Sequence, residues 1–225
     1  MKKLALIVTV AVLAATSAQA RQASAVAAVS TEQPTTFVQV GRLLADPGSG
    51  RVLRDKTLVI RGNQVLEIRD GFVGDGKVVD LRSAFVLPGL IDSHVHLTGQ
   101  QSPTSRMDEV TQSNATQAMV GARYARRTLN AGFTTVADLG ASNEAIFALR
   151  AAVRRGDVAG PRIIASGSAV SVHGGHGDAN GYREDILHLL SPESVCSGVE
   201  DCMRAVRLQV RSGADIIKIT ATGGV

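Results

Sequence analysis

The sequence lacks tryptophan, and no cluster of basic residues is interleaved with its aromatic residues, which make up only 3% of the chain. Its charge is nearly balanced, with 24 lysines and arginines against 20 aspartates and glutamates. Lys2 and Lys3 belong to a targeting segment, and without them 22 basic residues remain. Proteins that bind nucleic acids present basic patches to the phosphates. We therefore expect no nucleic-acid partner.

The apolar run at residues 4–15 is too short to cross a bilayer comfortably, which takes about 20 residues. It follows Lys2 and Lys3 and precedes Ser17-Ala18-Gln19-Ala20. A basic start, a short apolar middle and an Ala-x-Ala exit are typical of a secretory signal. We therefore predict a signal peptide over residues 1–20, cleaved after Ala20. The mature protein would be periplasmic or secreted, with no stable membrane anchor.

Only two cysteines occur, Cys196 and Cys202, separated by five residues. Thiols outside the cytoplasm tend to pair, which favours a local disulfide. Their spacing matches no common zinc motif, although a pair of thiolate ligands is the alternative.

The first part of the mature chain changes character near residue 36. Residues 21–36 are rich in small and polar residues with no periodic pattern, which predicts a flexible tether. Over residues 37–86 short apolar runs alternate with turn residues, and Gly62-Asn63 between two runs is a hairpin signal. We predict a small antiparallel β domain there.

Residues 87–225 alternate between short apolar runs and segments with helical spacing. This order predicts a parallel sheet with right-handed helical crossovers. Residues 99–111 are polar and predict a loop. The predicted strands after the first are 133–137, 162–165 and 216–219, and the predicted helices are 114–130, 143–155 and 200–211.

One carboxylate and two imidazoles stand at alternate positions in the first predicted strand. Asp92, His94 and His96 would share one side of that strand, because side chains alternate between its faces. Two neighbouring imidazoles can bind one zinc, iron or nickel ion. Histidines hydrogen-bonded within a core are the alternative.

Lys218 stands inside the last predicted strand, among isoleucines. Burial disfavours a charged amine, so this lysine would need a partner or would lose its proton. A neutral amine can add carbon dioxide and become a carbamate that bridges two metal ions. The alternative is a lysine that reaches a surface carboxylate.

These residues lie in an ordered set of motifs that resembles the metal-dependent amidohydrolase superfamily. The motifs are LPGLIDSHVH at 87–96, AGFTTVAD at 131–138 and GADIIKI at 213–219. The segment GPRIIASG at 160–167 and the HGGHGD that follows at 173–178 resemble the branch of Xaa-Pro dipeptidases and imidazolonepropionase-like proteins. The resemblance implies an α/β fold, a TIM-like (β/α)₈ barrel with a small antiparallel β domain. A barrel alone takes roughly 250 residues, so we expect only its N-terminal half, with four β/α units over residues 87–225.

The resemblance also implies a mechanism and its cofactors. His94 and His96 would bind one of two divalent ions, most simply zinc, and carbamylated Lys218 would bridge both. A hydroxide shared by the ions would attack the amide of a small peptide or amide substrate. The catalytic aspartate and two further histidines are expected beyond residue 225.

Other polar residues have supporting roles under this resemblance. Asp92 and Asp138 would hold the metal ligands by hydrogen bonds. His173, His176 and Asp178 would contact the substrate, or else form a solvated glycine-rich turn. His188 is predicted to be structural.

Two other functions stay open at this point. One is hydrolysis of a cyclic amide with a single ion, as in imidazolonepropionase-like proteins. The other is a truncated chain that binds metal or a partner without catalysis. A full-length protein could also form a homo-oligomer.

Overall fold

The computed structural model describes residues 33–223 as a mixed α/β fold. The predicted signal peptide and the tether up to residue 32 lie outside the described residues. No helix within residues 33–223 is long and apolar enough to span a bilayer. The chain divides into two compact units. The first contains the described residues through Gly41 and Arg54–Ala84, and the second contains Arg42–Leu53 and the residues from Phe85 onward.

A four-stranded sheet accounts for the predicted antiparallel β region. Its strands run in the order β3-β2-β1-β4, and β2 and β3 form an antiparallel hairpin around Gly62-Asn63. Gly62 has a φ of 59°, a left-handed conformation that glycine adopts at little cost. β1 begins inside the segment predicted as a tether. The strands are β1 (Thr35–Asp46), β2 (Arg51–Arg61), β3 (Gln64–Asp70) and β4 (Lys77–Val86).

The second unit contains two three-stranded parallel sheets, β5-β6-β7 and β10-β8-β9. The predicted helices over 114–130 and 143–155 are confirmed. In chain order the elements are β5 (Leu90–Val95), α1 (Ser105–Thr111), α2 (Asn114–Asn130), β6 (Phe133–Asp138), α3 (Asn143–Arg155), β7 (Arg162–Ala165), β8 (Val170–Val172), α4 (Glu184–Leu190), β9 (Val195–Cys196), α5 (Gly198–Ser212) and β10 (Ile219–Thr220).

Two local predictions were wrong. The predicted loop over 99–111 contains α1, a seven-residue helix with no buried residue, so no apolar stripe marked it in the sequence. The strand predicted over 216–219 begins only at Ile219, because the Asp215 side chain fixes the backbone that precedes the strand. The Asp215 carboxylate accepts a hydrogen bond of 3.0 Å from the Ala165 N–H, and the Asp215 N–H donates to the Ala165 carbonyl.

The core of the second unit lies between the sheet β5-β6-β7 and the helix α3. α3 buries Ile146 and Leu149 against the strands, where Val136 and Ile163 are also buried. Burying each such side chain stabilises the fold by about 1.5–3 kcal/mol. Because β5, β6 and β7 are parallel, their C-terminal ends lie at one edge of the sheet. That edge carries the polar residues described below.

A disulfide joins Cys196 at the end of β9 to Cys202 in α5. The structure thus favours the predicted disulfide over a pair of thiolate ligands. Cys196 is buried with Val170 and Ala205, so the bond attaches α5 to the sheet β10-β8-β9.

We expect the double substitution Cys196→Ser and Cys202→Ser to lower the free energy of unfolding by about 2 kcal/mol. The closed loop spans a sequence separation of only 6 residues, and constraint of the unfolded chain grows with loop size. Denaturant titration would measure the loss. A reductant should destabilise the unsubstituted chain by a similar amount and leave the double variant unchanged. Two reactive thiols in the unreduced chain would contradict the pairing.

Candidate active site

A cleft of about 580 Å³ in the second unit collects residues from the ends of several strands. His94 and His96 lie at the end of β5, and Lys218 immediately precedes β10. His176 enters from the loop after β8, and Thr220 lies in β10 itself. The sequence motifs separated by more than 100 residues therefore meet in one cavity.

The two imidazoles of the His-x-His motif lie side by side. Their ring centroids are 5.3 Å apart with an interplanar angle of 61°. The backbone N–H of His94 donates a 3.0 Å hydrogen bond to the Asp92 carboxylate, which braces the strand between Asp92 and His94. Among the described residues the His94 ring has no hydrogen-bond partner, so both of its nitrogens are free for a ligand.

The orientation of the His96 ring is fixed by the loop after β6. Its Nδ1 lies 2.8 Å from the carbonyl oxygen of Gly140, an acceptor, so Nδ1 carries the proton. The proton-free Nε2 is then the nitrogen that can bind a metal ion. Gly140 permits this approach, because a Cβ there would lie 3.0 Å from His96 Cε1.

Asp138, at the end of β6, supports His96 from two sides. Its fully buried carboxylate accepts hydrogen bonds from the Leu97 N–H at 2.7 Å and from the Gly140 N–H at 3.3 Å. Leu97 follows His96 in the chain, and Gly140 supplies the acceptor for its ring. Burial raises the pKa of the Asp138 carboxyl despite these two hydrogen bonds.

Lys218 is half-buried in the cleft, and its ammonium makes no hydrogen bond or ion pair with any described residue. The backbone around it is well held, since the Val170 N–H donates to the Lys218 carbonyl at 2.8 Å. The alternative of a lysine that reaches a surface carboxylate is therefore not what the structure shows. Lys218 thus lines the same cleft as His94 and His96 and has no side-chain partner among the described residues.

The glycine-rich loop at residues 173–178 is held by hydrogen bonds. The Asp178 carboxylate accepts from the Gly174 N–H at 2.8 Å and from the Ser191 hydroxyl at 2.7 Å. Burial would raise the pKa of Asp178, but hydrogen bonds from Gly174, Ser191 and Ala179 outweigh it and lower that pKa. His176 lines the cleft, whereas His173 and Asp178 do not; the His173 Nδ1 lies 2.9 Å from the Ser197 hydroxyl.

Two cleft residues were missed in the sequence. Glu109 of α1 lines the cleft, and the Tyr182 hydroxyl donates a hydrogen bond to its carboxylate. The pair joins the loop after β5 to the loop after β8, and no motif marked either residue. Thr220 was also missed, although its place two residues after Lys218 in a strand could have indicated that both share one face.

The donor set limits which ions the described part of the chain can hold. No three side chains of His, Cys, Asp or Glu within residues 33–223 converge on a point that could hold a metal ion. The cleft is lined by the imidazoles of His94, His96 and His176, the carboxylate of Glu109 and the amine of Lys218. Two neighbouring imidazoles do not complete a metal centre, so a metal ion in this cleft would need further ligands.

We expect Asp138→Asn to reduce the free energy of unfolding most strongly at acid pH. The amide keeps one acceptor and presents a donor to the second N–H, a cost of about 1–3 kcal/mol. The raised pKa of Asp138 stabilises the fold fully below the unfolded value, near 3.8, and this contribution is lost as the pH rises through the folded-state pKa. The difference between the two proteins should therefore shrink from pH 4 to pH 7.

Denaturant titrations at several pH values would measure this difference. The exposed Asp157, paired with Arg155, gives the control Asp157→Asn, which removes no buried carboxylate. An Asp138→Asn deficit that grows toward neutral pH would contradict the raised pKa of Asp138.

Known proteins resemble this chain over most of its described length. Ochratoxinase from Aspergillus niger is 32% identical over an alignment of 227 positions, which covers 89% of this chain and 45% of that protein. The solved structure of a Xaa-Pro dipeptidase with methionine in its active site has a TM-score of 0.76 at 36% identity, and the match covers 85% of this chain and 48% of that one. The chain thus spans about half the length of these relatives.

A third relative and the family match locate the shared region. Dihydroorotase from Anaeromyxobacter sp. (strain K) is 36% identical over 87 residues, which cover 38% of this chain and 19% of that protein. The Amidohydrolase family profile matches residues 85–225, the part of the chain that contains the cleft. This match spans more than half of the chain and confirms the resemblance found in the motifs, and the chain belongs to the amidohydrolase family.

Proposed function

We propose that this chain is the N-terminal part of an exported, metal-dependent dipeptidase-like hydrolase that cleaves a C–N bond in a small peptide or amide. The observation that carries the proposal is the unpaired Lys218 in one cleft with His94 and His96. Similarity to a Xaa-Pro dipeptidase and to ochratoxinase supports the class of bond. The N-terminal signal pattern supports export.

The proposed architecture is the first half of a (β/α)₈ barrel. Its four strands would be β5, β6, β7 and the segment from Asp215 to β10, which is hydrogen-bonded beside Ala165. Active sites of such barrels lie at the C-terminal ends of the strands. The positions of His94, His96 and Lys218 agree with that rule.

Of the two divalent ions proposed, most simply zinc, the cleft would hold one through His94 and His96, and the second would need the histidines expected beyond residue 225. His96 would bind through Nε2, because its Nδ1 proton is held by Gly140, and the His94 ring is free. Lys218 would bridge the ions after its Nζ lone pair adds to carbon dioxide and one proton leaves to solvent. Bound ions of this kind acidify a water molecule and polarise the scissile carbonyl.

The protein's own groups prepare the site for that chemistry. Asp138 fixes the backbone that follows His96 and the Gly140 residue whose carbonyl holds its ring, so the ring needs little reorganisation when it binds. The hydrogen-bonded loop at 173–178 holds His176 at the cleft, where it would contact the substrate. The aspartate and two histidines expected to complete the site are not among these 225 residues.

We expect the chain to bind Zn²⁺ and the variants His94→Ala and Lys218→Met to bind it at least about 10-fold more weakly. Loss of even an outer partner of a metal ligand costs about 10–100-fold in affinity. Isothermal titration calorimetry would measure this. His188→Ala is the matched control, because His188 is exposed on α4 and outside the cleft. Equal Zn²⁺ affinities for the unsubstituted chain and all three variants would show that the cleft is not the metal site.

Hydrolysis needs a separate test in the longest reading frame that contains this chain. We expect release of free proline from Xaa-Pro dipeptides, and slower or no opening of cyclic amides, because Lys218 favours two ions over one. Chromatographic detection of the released amino acid would measure the rate. Zinc binding without cleavage of any amide would instead favour the non-catalytic alternative.

A further inference from the structure

Thr220 carries a buried hydroxyl that no described residue satisfies. Three buried side-chain oxygens within residues 33–223 have no hydrogen-bond partner: Ser194 Oγ, Gln209 Oε1 and Thr220 Oγ1. Of these three residues only Thr220 lines the cleft with His94, His96 and Lys218. Buried polar groups are normally paired, so an unpaired one in a cleft indicates a missing partner.

The neighbours of Thr220 are fixed by the pairing of β10 with β8. Thr220 stands opposite Ser171, and both side chains lie beneath Gly177 of the glycine-rich loop. A Cβ on Gly177 would lie 2.8 Å from Thr220 Oγ1 and 2.9 Å from Ser171 Cβ. Ser171 is satisfied, because its Oγ accepts a 3.1 Å hydrogen bond from the Gly177 N–H. The Thr220 hydroxyl is left without such a contact.

Lys218 is the group on the same side of the backbone. Residues two apart in an extended segment point to the same face, and both Lys218 and Thr220 line the cleft. As an amine, Lys218 offers at most one lone pair to a donor. Carboxylation replaces one N–H by an N–C bond, releases that proton and adds two acceptor oxygens.

We propose that Thr220 is a positioning residue for Lys218, donating a hydrogen bond to a carbamate oxygen once the lysine is carboxylated. This inference rests on the proposed function. The hydroxyl would hold the carbamate in the orientation that bridges two ions and would slow its loss as carbon dioxide. Because the loop passes over Thr220 at Gly177, the same contact would link the carbamate to the loop that carries His176.

The test compares Zn²⁺ affinity in bicarbonate-containing and carbon-dioxide-free buffer for the 225-residue chain. We expect Thr220→Val, which keeps the shape but removes the hydroxyl, to bind Zn²⁺ about 10-fold more weakly than the unsubstituted chain in bicarbonate only. Thr220→Ser should restore most of the affinity. Ser194→Ala, which removes the other unpaired buried hydroxyl, is the matched control and should change nothing.

Carbamate formation can be observed directly by ¹³C NMR with ¹³C-bicarbonate. The unsubstituted chain should show a carbamate signal that Lys218→Met abolishes and Thr220→Val diminishes. Equal signals and equal affinities for the unsubstituted chain and Thr220→Val would overturn the role of Thr220 alone. Absence of the signal from the unsubstituted chain would overturn the carboxylated lysine of the proposed function, and the role of Thr220 with it. Circular dichroism of Thr220→Val and Thr220→Ser would separate misfolding from either result.

Discussion

The buried carboxylate of Asp138 is the interaction on which the candidate site depends. Removing an ionised group from water is costly, and burial raises its pKa accordingly. The fold retains it because its two oxygens receive the N–H groups of Leu97 and Gly140, one from each of two neighbouring strand ends. One side chain thereby sets the distance between the segment that carries His96 and the carbonyl that orients the His96 ring.

Three other groups that line the cleft are unpaired. The Lys218 amine, the Thr220 hydroxyl and the His94 ring have no hydrogen-bond partner among residues 33–223. Unpaired groups reduce stability, so a cluster of them beside a fully bonded support is what a binding site requires. The hydrogen bonds of Asp138 hold the backbone around His96 in place, and the unpaired groups remain free to contact a ligand.

The sequence predicted the parts of this arrangement that depend on local pattern. Alternation in β5 indicated that His94 and His96 would lie together, and helical spacing indicated α2 and α3. It could not locate α1, because a short exposed helix leaves no apolar stripe. It also could not show that the Asp215 carboxylate would accept a hydrogen bond from Ala165, so that β10 begins only at Ile219. That contact joins residues 50 positions apart. The orphan hydroxyl of Thr220 became visible only once β10 was paired with β8.

The residues that line the cleft come from separate parts of the second unit. His94 lies in β5, His96 follows that strand and Lys218 precedes β10, and the carbonyl that orients the His96 ring comes from the loop after β6. Two segments near the cleft are joined by a hydrogen bond from the Tyr182 hydroxyl to the Glu109 carboxylate. Function depends on the residues of a site and not on the fold that carries it, so proteins of one family can act on different substrates. The motifs in residues 85–225 therefore identify the family, and substrate choice has to be measured.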